Sequence, residues 1–164
     1  VILAALLLQL AATPPATIPN PGFERGLEGW APAGHRGFRA GIGSDYPANG
    51  RHWLHMGWAA RNRTPGDADF QVSTTIDARR YRGRRIRISV ETKVRNGRDS
   101  GANILFVSAG TAHARMALLE SDAWQRQSVT LAVPRSAGTI TLGFRIENAG
   151  GGIEADNVRL EILR

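Results

Sequence analysis

Four tryptophans, four histidines and the polar sides of several strand-like stretches are where this chain has chemistry to offer. In RHWLHMGW, Arg51 to Trp58, two-residue alternation sends Leu54 and Met56 to one side and Trp53 and His55 to the other. An outward indole beside an imidazole can stack on a flat ring and bond its hydroxyls. Trp58 falls just beyond, in GWAARNRTPGDAD, where it would be either an exposed platform or a cap on the loop. Tyr46 adds an edge contact from a turn-rich stretch upstream. In RRIRISVETKV, Arg87, Ser89, Glu91 and Lys93 share a face, and in TITLGFRIE so do Arg145 and Glu147. If those strands line one groove, Arg87, Glu91 and Arg145 become binding groups for hydroxyls and carboxylates. The alternative is a solvated sheet face laced with weak cross-strand ion pairs.

Other chemistries find little support. His52 and His55 are three apart, which on a strand puts them on opposite faces and defeats a shared metal. No G-x-S-x-G elbow is present, and NAGGGIE reads as a turn between strands without the helix that would aim amides at a phosphate. Glu91 and Glu147 would reach glycosidase spacing only on adjacent strands, and their arginine neighbours favour salt bridges. RRYRGRR, Arg79 to Arg85, is either a polyanion patch or the turn into the next strand.

A regular frame must position these groups. The 164 residues suit one domain with a core of its own, and with no cysteine that core holds without disulfides or thiolate metal sites. Ile86, Ile88, Val90, Thr92 and Val94 alternate with polar residues, as do Ile140, Leu142, Phe144 and Ile146, and Val129, Leu131 and Val133 up to Pro134. Shorter strands are expected over 34–40, 52–57, 69–76, 103–108 and 113–118, with turns at Asn49–Arg51 and Asn96–Gly101. TAHARMALLESD is the nearest approach to a helical pattern and reads better as strand and turn. About ten short strands predict an all-β sandwich of two antiparallel sheets. Near the end, Ile153 and Ala155 are odd while Val158, Leu160 and Ile162 are even, so a bulge is expected near Asp156 and Asn157.

The first twelve residues, VILAALLLQLAA, have the pattern of a secretory h-region and are too short for a membrane span. Residues 1–16 are read as a signal segment whose true start lies upstream, and 17–164 as the exported domain, secreted or periplasmic. Its formal charge is +7, no charged residue precedes Glu24, and Lys93 is its one lysine. The arginine bias reflects either genome composition or a polyanion partner; export points any such partner towards anionic glycans or an envelope surface rather than nucleic acid.

NPGFERGLEGW, NGRHWLHM, YRGRRIRISVETKV, WQRQSVTLAVP and GGGIEADNVRLEIL, in that order, resemble the landmarks of the carbohydrate-binding-module-like, galactose-binding-like β-jelly-roll superfamily over Ile18 to Leu163. The resemblance implies core positions for Trp30 and Trp124. It also implies a structural calcium ion held by the carboxylates at Glu24 and Asp156 with backbone carbonyls, to which Asn20 could add an oxygen. Its alternative has Glu24 paired with Arg25 or Arg159 and Asp156 shaping a turn. The expected function is non-catalytic recognition of a polysaccharide or cell-envelope glycan through Tyr46, Trp53, His55, Trp58, Arg87, Glu91 and Arg145. The alternatives are a structural or protein-interaction domain of the bacterial envelope and, behind it, a small glycosidase or lyase.

Overall fold

The computed structural model describes residues 14–58, 69–95, 101–148 and 151–164. Its strands are β1 (Ala31–Gly34), β2 (Phe38–Gly43), β3 (Trp53–Trp58), β4 (Phe70–Asp77), β5 (Arg85–Arg95), β6 (Ala102–Ala109), β7 (Ala112–Ala117), β8 (Ser121–Ala132), β9 (Thr139–Glu147) and β10 (Gly152–Leu163). They form two antiparallel five-stranded sheets, a front sheet ordered β1-β4-β9-β6-β7 and a back sheet ordered β2-β3-β10-β5-β8. This is the expected jelly roll. Among the described residues the one helical element is a 3-10 turn, Arg79–Tyr81.

Alternation explains the layers. The five even residues of β5 from Ile86 to Val94, and Ile140, Leu142, Phe144 and Ile146 of β9, are at most 1% exposed and face each other across the sandwich. Each apolar side chain among them contributes about 1.5–3 kcal/mol on burial, before the entropy of ordering is set against it.

Two departures shape the functional surfaces. Residues 34–40 are not one strand. β1 ends at Gly34 in the front sheet, a turn closed by Phe38 N–H on His35 O (3.1 Å) follows, and β2 begins in the back sheet. Gly34, at φ +126°, makes that corner, and a side chain there would run into Asp69 and Phe70. In β10 the register against β5 slips between Asp156 and Arg159, with Asn157 at φ +55°. That bulge turns Ala155 and Val158 both inward, as the parity change requires.

Most of the expected export segment lies outside the described residues, as do residues 59–68 of the Trp58 loop and 96–100. Pro15 O accepts Asp77 N–H at 2.8 Å and Ala16 O accepts the Tyr81 hydroxyl at 3.3 Å, so packing on the domain begins ahead of residue 17. Among the described residues no helix is long and apolar enough to cross a membrane.

Candidate functional site

The groove expected from Arg87, Glu91 and Arg145 does not form. Arg87 and Glu91 stand on β5 in the back sheet and Arg145 on β9 in the front sheet, so they occupy opposite outer faces. Alternation tells which residues of one strand share a face, not which sheet the strand joins. Glu91 and Glu147 are parted in the same way, and Glu91 instead accepts Arg126 Nε at 2.9 Å. Hence these two carboxylates cannot flank one glycosidic bond.

Arg145 has different company. Antiparallel register lines up Gln71, Arg145, Ile104 and Ala117 across the front sheet, and next to them Ser73, Gly143, Phe106 and Arg115. All point outward. Two recesses of about 170 and 120 Å³ open there and share Gln71 and Arg145 as walls. The floor is apolar: Phe106 is half-buried, and Ile104 is only 3% exposed although it lies on the outer face. Gly143, beside Phe106 in register, adds no side chain, and one placed there would collide with the Val72 carbonyl.

The polar rim is held in place. Arg115 grips Glu147 with both ends of its fork, Nη1 to Oε1 at 3.1 Å and Nη2 to Oε2 at 3.0 Å. Arg145 lies in ion-pair range of Glu147 (3.7 Å) and Asp69 (3.9 Å), too far from either for hydrogen bonds, and its buried Nε has no hydrogen-bond partner among the described residues. A buried donor left unbonded is costly unless a ligand acceptor completes it. Apolar floor, a guanidinium with an unfilled hydrogen-bond donor and a fixed carboxylate together can stack a ring face and bond its hydroxyls.

The aromatic residues expected as contacts lie elsewhere. Trp53 and His55 face outward from the back sheet as expected, edge to face at 5.9 Å. Trp124, expected in the core, joins them: its ring centroid is 6.3 Å from Trp53, and the Lys93 ammonium lies 4.6 Å over its ring. It lies where β8 slips in register against β5, between the pairs Thr92–Gln125 and Val94–Ser121, and so stands outside while Gln127, Val129 and Leu131 further along face inward. Both indoles fasten one loop, Trp53 Nε1–H donating to Asp45 O (3.1 Å) and Trp124 Nε1–H to Tyr46 O (2.9 Å). The Tyr46 ring is left 87% exposed. Trp58, expected on a loop, ends β3 instead and packs on Phe38 at 4.3 Å. Trp30 keeps its core place between Phe23 and Phe144.

Glu24 and Asp156 are brought together around the same loop. Asp156 is fully buried and accepts Asn49 N–H (2.8 Å) and Asn157 N–H (2.6 Å), with no cationic side chain on it among the described residues. Burial, and then the nearby Glu24 charge, push its carboxyl above the usual range against these amides. Glu24 accepts Arg51 N–H (2.7 Å), His52 N–H (3.2 Å) and the His52 ring at 3.0 Å, and these bonds, Arg51 first, hold its carboxyl below the usual range. Its arginine alternatives are engaged elsewhere, Arg25 on Glu28 and Arg159 on Asn157. Gly50, at φ +69°, has no room for a side chain against Glu24. A buried carboxylate without a cationic side chain on it among the described residues, next to a second carboxylate, is a donor set that suits a hard cation such as calcium. No group of three or more His, Cys, Asp or Glu converges among the described residues, so backbone oxygens would have to complete the shell. Asn20 is spent otherwise: its side chain folds its own loop, Oδ1 accepting Arg25 N–H and Nδ2 donating to Gly26 O.

No protein-family profile matches the chain, and no curated protein matches it by sequence. Solved structures do match in shape. TmCBM61 in complex with β-1,4-galactotriose superposes with a TM-score of 0.64 at 17% identity, covering 90% of this chain and 99% of that one. The CBM22-1 xylan-binding domain of Paenibacillus barcinonensis Xyn10C gives 0.61 at 13%, covering 94% and 99%. The chain shares the β-sandwich fold of these two structures. The enzymatically active domain of bacteriophage CBA120 tailspike protein 4 also matches, with a TM-score of 0.69 at 14% identity over 90% of this chain, which spans only 21% of that domain's length. At these identities the likeness concerns the fold.

Within this β-sandwich, the front recess holds Phe106, Gln71 and Arg115, none singled out by the sequence reading. One signal was available. Ile104 to Val107 is apolar at every position, and a strand apolar on both faces needs something over its outer one.

Proposed function

We infer that the chain is a non-catalytic glycan-binding module whose ligand lies in the front-sheet recess. The observation that carries this reading is Arg145, whose buried Nε has no hydrogen-bond partner among the described residues, beside the Phe106 and Ile104 floor, with Glu147 held as an acceptor by Arg115. A pyranose would stack on Phe106, accept from Arg145 and Gln71, and donate to Glu147. The similar fold of a module bound to β-1,4-galactotriose and of a xylan-binding domain supports a neutral β-linked polysaccharide. A calcium ion held by Glu24 and Asp156 belongs to the same reading, as does export to the periplasm or beyond, where an anionic envelope surface is a further partner.

Titration calorimetry with galacto- and xylo-oligosaccharides tests it. Phe106→Ala and Arg145→Gln should each weaken binding about tenfold, since a ring face or charged hydrogen bond contributes about 1–3 kcal/mol. Trp53→Ala on the back sheet should leave affinity unchanged. If neither sugar series binds with calcium present, the glycan reading fails. The second reading, a protein-interaction domain of the envelope without sugar affinity, is favoured by exposed Tyr46 (87%) and Leu119 (67%). Turnover of either oligosaccharide series would instead restore the enzyme reading.

A further inference from the structure

RRYRGRR does form the turn into β5, yet the turn does not use up its charges. Arg79 is paired with Asp77 at 2.7 Å, and Arg82 donates from Nε to Ala137 O at 2.7 Å. Arg84, Arg85 and Arg87 are exposed and have no ion pair among the described residues. Arg85 and Arg87 leave β5 on the outer face of the back sheet, two residues apart and therefore side by side. Gly83 N–H bonds Val133 O and Arg84 O accepts Val133 N–H, which draws in Arg135; its Cγ would lie 3.4 Å from a Cβ on Gly83. The cross-strand neighbours Thr130, Ala132 and Leu163 carry no charge. Glu161 stands opposite Arg87 in register without forming an ion pair to it.

We propose that this arginine corner binds an acidic polysaccharide, a linear polymer of uronate carboxylates, on the sheet opposite the glycan recess. Planar guanidinium forks match carboxylates two bonds at a time, and an extended row of them suits a repeating anion. Other polyanions fit less well. The one aromatic ring at the corner, Tyr81, is only 4% exposed and offers no stacking platform for bases. Strongly exposed Tyr46 and Leu119, which could enter a lipid surface, lie towards the start of β8, whereas the arginines flank its end. The site stands apart from the front recess and does not depend on it.

The test is titration of the full chain with polygalacturonate and, as a neutral control, dextran of similar length. Polygalacturonate should bind at low salt, dextran should not, and binding should fade as salt approaches about 0.5 M, where charges a few ångströms apart are screened. The triple change Arg84→Gln, Arg85→Gln, Arg87→Gln should weaken binding about tenfold with the melting temperature unchanged, because the side chains are exposed and unpaired. Arg135→Glu should weaken it independently, and Phe106→Ala should not. Absence of low-salt binding to polygalacturonate, or an unaltered affinity in the triple variant, overturns the proposal. Tighter binding to duplex DNA or phosphatidylglycerol vesicles than to polygalacturonate at equal charge also overturns it.

Discussion

At Asp156 a carboxylate is buried with no cationic side chain on it among the described residues and is pressed by the Glu24 charge, and the two groups respond to pH in opposite senses. A folded pKa above the unfolded value means that Asp156 favours folding while protonated, and that this contribution is lost as pH rises through its raised pKa. Glu24, with its pKa lowered, contributes above its unfolded value, and loses that contribution as pH falls through its own pKa. In chelator, the melting temperature of wild type minus that of Asp156→Asn should therefore be less favourable at pH 7 than at pH 4. A difference constant across that range would show that Asp156 ionises as freely as in water. Gly143 gives a second residue-scale expectation. Gly143→Val must displace the Val72 carbonyl or part β4 from β9, and should cost on the order of 1–3 kcal/mol in urea denaturation, the range for overpacking.

Elements decide where these residues stand. The β10 bulge was legible because hydrophobic parity changes between Ala155 and Val158, and a one-residue insertion repairs it. Asn157 occupies the left-handed position of that bulge, which Gly tolerates and a β-branched residue does not. Asn157→Gly should leave stability nearly unchanged, whereas Asn157→Val should lose about 1–2 kcal/mol by urea midpoint. The loop 44–52 was not legible. Its turn residues announce irregular chain, but its position depends on two indoles from β3 and β8, 71 residues apart, bonding successive carbonyls at Asp45 and Tyr46. Trp124→Phe removes one of those bonds, and amide exchange at Asn49, Arg51 and His52 should quicken, since the same loop delivers their N–H groups to Asp156 and Glu24.

For the whole molecule, residues 20–26, loop 44–52 and β10 meet around Glu24 and Asp156, so an ion bound there would tie together segments more than a hundred residues apart. Calcium at a hundred times its dissociation constant should stabilise the fold by about 2.7 kcal/mol, and chelator should lower the melting temperature correspondingly. A melt insensitive to chelator would remove the metal from this reading. The sequence by itself determined the layered antiparallel architecture, because period-two alternation leaves one apolar face per strand and two such sheets are the simplest way to bury it. It also determined which residues of each strand look outward, Trp53 and His55 among them. Only the tertiary structure decided which outward faces coincide. Arg145 left Arg87 and Glu91 for Gln71, Phe106 and Arg115 because sheet order comes from non-local pairing, and the partner of a strand is chosen by packing across the whole sandwich, which no local pattern records.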